Sequence, residues 1–116
     1  LATVLYGIAN CDSVKKARRW LDEHAVPYRF HDFRSDGLEP GVLAAWMDTL
    51  GWEVLINRRS SSWRELDPET RSSMDAASAI QAALATPTLI KRPLLSHGGT
   101  LETGFSAARY AEIFRC

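Results

Sequence analysis

Cys11 is placed to act as a nucleophile. It falls at the break in TVLYGIANCDSVKKARRWL (3–21), where an alternating apolar run gives way, after Gly7, to a helical pattern. A cysteine at the first turn of a helix meets backbone N–H groups without intrahelical acceptors and the positive end of the helix dipole. Both favour the thiolate, which is the attacking form. Lys15, one turn along the same face, adds positive charge, whereas Asp12 sets a carboxylate beside the sulfur. Moderate activation is the expectation. The competing reading is packing, because free cysteine is among the most buried residue types.

Other residues could assist such a thiol. Asn57, Arg58 and Arg59, followed by three serines, carry the donors to bind an anion; they suit a solvated surface loop equally well. Pro93 interrupts the apolar stretch TPTLIKRPLLS (86–96) where a strand should begin. A proline there is confined to a strand's first residue, an edge or a special turn, with a cis bond among the options. Cys116 ends the sequence and reads as a solvated tail, the alternative being a resolving thiol for Cys11. His24, His31 and His97 show no ligand spacing with the cysteines, so no metal site is expected.

The elements that must position these residues follow from periodicity. Thr3 to Tyr6 reads as a short buried strand, and Val14, Ala17, Leu21 and Ala25 recur at helical spacing until Pro27, with Lys15, Lys16, Arg18 and Arg19 on the outer face. Tyr28 to Phe33 alternates as a second strand. One helix between two strands makes them parallel. After a polar link, Pro40 opens a helix whose stripe is Leu43, Trp46, Met47 and Leu50, and Gly51 closes it. Trp52 to Leu66 shows no clear period. Asp67-Pro68 signals a helix start, and Ala76, Ala77, Ile80 and Leu84 carry a helical face to about Ala85. Beyond Pro93, Gly98-Gly99 turns a hairpin into Thr100–Thr103, and Ala107, Ala108, Ala111 and Phe114 mark a last amphipathic helix. The order is β-α-β, a helical insert, then β-β-α. That is the thioredoxin order, with a cysteine after the first strand and a proline opening the third.

Bulk properties narrow the function. The chain has 116 residues, 46% hydrophobic and 24% charged, which suits one globular domain. Fourteen basic residues balance fourteen acidic ones, giving no electrostatic footprint for nucleic acid or an anionic membrane. No apolar run reaches the length of a membrane span, and no signal peptide is legible. Two cysteines at opposite ends are no disulfide framework and fit a reducing cytoplasm.

YGIANCDSVKKARRWL, VPYRFHDFRSDGL, LGWEVLINRRSSSWREL, TLIKRPLL and GFSAARYAEIF together resemble the ArsC/Spx family, most closely its YffB branch. The resemblance implies one thioredoxin-like α/β domain over 1–116: a mixed four-stranded sheet, with 1–33 and 86–116 as its core and 38–85 as a helical insertion between the second and third strands. It implies a redox-active Cys11 and an Arg92–Pro93 pair with a cis proline. By the same resemblance, Arg92 and one of Arg58 and Arg59 would hold an oxyanion or the carboxylates of glutathione. Asn10 would help orient the group at the sulfur, and backbone groups beside Pro93 would pair with a peptide substrate. A third arginine of the arsenate reductases is replaced by Gly104, and the second thiol of the Spx CxxC switch by Val14. The expected function is a glutathione-dependent thiol oxidoreductase, with glutathione as co-substrate and no bound cofactor. Arsenate reduction is one alternative, and an Spx-like regulator of RNA polymerase is another.

Overall fold

A computed structural model describes residues 2–115 and divides them between two compact units, 2–36 with 92–115 and 37–91. The first unit holds all four strands. β1 (Thr3–Gly7) alternates buried and half-buried positions, and α1 (Asp12–Glu23) follows it after a four-residue loop. β2 (Arg29–Asp32) runs parallel to β1, as a βαβ crossover requires. β3 (Leu94–His97) pairs antiparallel with β1, and β4 (Thr100–Thr103) pairs antiparallel with β3 across the Gly98-Gly99 turn. The sheet order is β2-β1-β3-β4, and α7 (Ala107–Phe114) closes the unit. Leu5 and Leu95 from the sheet, Val14, Ala17, Trp20 and Leu21 from α1, and Tyr110 from α7 form its core. Thr3, a buried polar residue, is satisfied by His97 Nδ1 at 2.7 Å from its hydroxyl.

Three expectations for this unit are revised. The first helix ends at Glu23, not at Pro27: Ala25 turns to φ 53°, its N–H reaches the Asp22 carbonyl, and the Val26 N–H reaches that of Leu21. Arg18 does not lie wholly on the solvent face. Its guanidinium sits 4.3 Å from the Phe30 ring centre, and its Nε donates to the Tyr28 hydroxyl. On α7 the inward residues are Tyr110 with Ala111, Ile113 and Phe114, whereas Ala107 and Ala108 are exposed, because the large aromatic sets the helix phase.

The second unit is helical. α2 (Pro40–Leu50) buries Leu43, Trp46 and Met47 and stops at Gly51, whose φ of 82° suits glycine. Short helices follow, α3 (Trp52–Leu55), α4 (Ser61–Arg64) and α5 (Pro68–Ser72), then α6 (Ala76–Ala85) and a 3-10 turn (Pro87–Leu89). The helix signalled at Asp67 is thus two helices. Asp75 starts the second with its own capping box, accepting from the Ser78 N–H at 2.8 Å while the Ser78 hydroxyl accepts from the Asp75 N–H at 2.9 Å. This restart buries Ala79 and Ala83 and leaves the expected Ala76 and Ala77 exposed.

Candidate functional site

In the first unit, the cysteine loop lies where two strands meet. The register sets Tyr6 opposite Leu94, so the C-terminal end of β1 and the start of β3 share one end of the sheet. Ile8–Cys11 leaves β1 there, and Pro93 precedes β3 there, after a cis Arg92–Pro93 peptide bond. Asn10, Cys11, Arg92 and Pro93 therefore all belong to this unit.

Cys11 is the N-cap of α1, extended at φ −147° and ψ 125°, and its carbonyl accepts the Lys15 N–H at 2.9 Å. Its side chain caps nothing, so the sulfur is not consumed by the helix it opens. Half-buried, it packs against the core on one side. Asn10 beside it is exposed. Gly7 lets α1 start this close to the strand: a Cβ there would lie 2.7 Å from Val14 Cγ2. Val14, where a CxxC pattern would carry its second cysteine, is fully buried core.

Arg92 is half-buried and Pro93 buried. The Pro93 carbonyl accepts the Gly104 N–H at 2.8 Å, and Gly104 itself stands at φ 76°. A side chain at 104 would meet the left-handed penalty of about 1–2 kcal/mol. The turn that carries Gly104 thus favours glycine at that position.

Sequence reasoning missed Asp32. This last residue of β2 pairs with Gly7 in the sheet, and its carboxylate bridges two loops. Oδ2 accepts the Ala9 N–H at 3.0 Å, and Oδ1 accepts those of Arg34 at 2.7 Å and Ser35 at 3.4 Å. Burial opposes its ionisation, but these three N–H groups and the Arg34 charge outweigh burial and hold the carboxyl below its usual range. The turn chemistry of HDFRSDG was a signal for the Arg34 and Ser35 bonds. Nothing local pointed to Ala9.

In the second unit, Arg58 and Arg59 are both exposed. The Asn57 side chain accepts the Arg59 N–H, and the Asn57 N–H donates to the Leu89 carbonyl, fixing the loop. The Arg58 guanidinium lies 5.6 Å from the Trp52 ring centre, and Trp52 stacks on Trp63. Arg58, Arg59 and Lys91 line a cleft of about 550 Å³. The two arginines thus differ locally: Arg58 is shelved on an aromatic ring, and Arg59 is held through its backbone.

Cys116 lies outside the described residues. Among the described residues no group of acidic, histidine and cysteine side chains could hold a metal ion, and no helix is long and apolar enough to cross a membrane.

Comparison with known proteins fits this geometry. A sequence profile of the ArsC family matches residues 6–113. The solved structure of a YffB protein is 44% identical, with a TM-score of 0.91, covering 96% of this chain and 97% of that one. An arsenate reductase (ArsC) related protein from Brucella melitensis is 42% identical, with a TM-score of 0.80, covering 100% of this chain and 97% of its own. A global transcriptional regulator Spx from Enterococcus faecalis is 29% identical over 104 residues, 88% of this chain and 78% of the regulator. The profile match takes in the end of β1, the other three strands and the helical segment between the second and third, and the fold is thioredoxin-like: the chain belongs to the ArsC family.

Proposed function

We propose that this protein is a glutathione-dependent thiol–disulfide oxidoreductase with Cys11 as its nucleophile. The observation that carries the reading is a half-buried cysteine at a helix N-terminus, its side chain making no capping bond, at the sheet end where Pro93 opens the neighbouring strand. Unused first-turn N–H groups can stabilise a thiolate and the sulfur anion that leaves. The Cys11 thiolate attacks one sulfur of a glutathione-containing disulfide. That S–S bond breaks, the leaving thiolate takes a proton from water, and a Cys11–glutathione disulfide remains. A second glutathione thiolate attacks the glutathione sulfur, freeing Cys11 and forming oxidised glutathione. Arg92 supplies a cation for a glutathione carboxylate, and Asn10 hydrogen-bonds at the sulfur. The cycle needs a pool of reduced glutathione, such as a reducing cytoplasm holds.

Intact-mass spectrometry after exposure to oxidised glutathione tests this reading. One adduct per chain, on Cys11 and absent in Cys11→Ser, is the expected result. Cys11→Ser should also abolish glutathione-dependent disulfide reduction while leaving thermal unfolding unchanged. Retained turnover in that variant rejects the mechanism.

Arsenate reduction is a second reading, suggested by the Brucella relative's description. The glycine at 104 weighs against it, and arsenate-dependent oxidation of glutathione separates the two. The Spx relative suggests a regulator instead. Capture of RNA polymerase by the reduced or oxidised protein, with no turnover on disulfides, would favour that role.

A further inference from the structure

Resting on the thiol reading, we propose that Asp32 is a positioning residue: its carboxylate fixes the backbone that presents Cys11 to an incoming disulfide. The loop from Gly7 to the helix is short, and its ends are anchored by different means. Ile8 is buried, at 5% exposure, and holds one end in the core. The Cys11 carbonyl is held at the other end by the first hydrogen bond of α1, to Lys15. Between them Ala9 and Asn10 are exposed, and the Ala9 N–H is secured by Asp32 from 23 residues away.

The opposite half of the same carboxylate is also engaged. Arg34 and Ser35 N–H groups hold Oδ1, while the Asp32 N–H donates to the Asp36 carboxylate at 2.9 Å and its carbonyl accepts the Asp36 N–H at 2.8 Å. Asp32 is thus itself locked before it reaches Ala9. Its backbone is further set by β2 pairing and by the Phe33 N–H, which donates to the Gly7 carbonyl at 2.9 Å. A rigid acceptor on one strand end fixing the loop that leaves its neighbour is what an aligned thiol displacement needs, because the three sulfurs must lie in line. Only a group with two acceptor oxygens serves both loops together.

Two variants separate this role from a general one. Asp32→Asn offers one acceptor oxygen, so it can hold Ala9 or the Arg34–Ser35 turn but not both. Asp32→Ser keeps a local turn acceptor and is too short to span to Ala9. Three quantities are measured at pH 7 in the intact protein: amide exchange at Ala9, the rate of Cys11 adduct formation with oxidised glutathione, and the rate of Cys11 alkylation by iodoacetamide. In both variants we expect Ala9 exchange to rise, and the rate with oxidised glutathione to fall, each by about tenfold. Alkylation, which needs no three-sulfur alignment, should change by less than about twofold. Unchanged Ala9 exchange would overturn the proposal, as would unchanged adduct formation in a loosened loop. Equal slowing of both thiol reactions would assign Asp32 a general effect on the thiol and also reject positioning. If the wild type forms no glutathione adduct, the thiol reading itself fails and takes this role with it. A wild type that reacts beside variants of equal rate rejects only the role of Asp32.

Discussion

At Gly7 the strand and the cysteine-bearing helix come too close to admit a side chain. The nearest neighbour of a Cβ there is a methyl of Val14, which is β-branched, helical and fully buried, so it has little freedom to move aside. Gly7→Ala should therefore cost about 1–3 kcal/mol in urea unfolding, with a shifted midpoint at an unchanged slope. Tyr110 presents the converse case. Its ring is fully buried among Trp20, Phe105 and Phe114, while its hydroxyl is buried without a hydrogen-bond partner among the described residues. Burial, with the Glu102 charge second, raises its pKa above the ordinary 10.0. The native state then keeps a proton that the unfolded chain releases, so the stability this residue contributes is intact below pH 10 and declines as pH rises beyond it. Tyr110→Phe should raise stability at neutral pH by up to about 1 kcal/mol and abolish that alkaline decline, as thermal unfolding against pH would register. Cys11 and Pro93 could be found from sequence because each is a chemical type at a break in a periodic pattern. Asp32 could not be assigned its bond to Ala9, because that bond spans 23 residues and leaves no trace in local spacing.

The longer elements were legible because each carries a full amphipathic repeat. Val14, Ala17 and Leu21 of α1, Leu43, Trp46 and Met47 of α2, the parallel pairing of β1 with β2 and the Gly98-Gly99 hairpin all follow from periods of 3.6 or 2 and from turn chemistry. The helices α3, α4 and α5 have only four or five residues, too few to display a period. α4 and α5 bury no residue, and Ile56, just past α3, is paired with Ile90, a partner distant in sequence. Helix ends were misread where a non-glycine residue does a glycine's work. Ala25 ends α1 in the left-handed region, with the two hydrogen bonds of a Schellman motif, and Val26 after it packs against the core. Ala25→Gly removes the Cβ penalty at an exposed site, and chemical unfolding should show a gain of up to about 1 kcal/mol.

Over the whole molecule, acidic and basic residues cancel, fourteen against fourteen. A protein with no net charge lacks the repulsion that keeps copies apart, so solubility should be lowest near pH 7 and rise on either side, as precipitation by polyethylene glycol across a pH series would reveal. The same balance leaves association with a small ligand dependent on local cations, of which the Arg58 cleft is one example, rather than on a long-range field. Both properties were readable from composition; a helical segment over 38–85 was implied by the family resemblance, and the coordinates set the second unit at 37–91. The burial of Val14 carries a last consequence, one of timing. Where a second thiol would stand beside Cys11 there is a hydrocarbon, and Cys11 is the free cysteine of the described residues. An adduct on Cys11 then has no clock of its own within that part of the chain. Its lifetime is set by how soon a thiol arrives from elsewhere, so the fraction of molecules carrying the adduct would follow the surrounding reductant concentration as a gauge follows pressure.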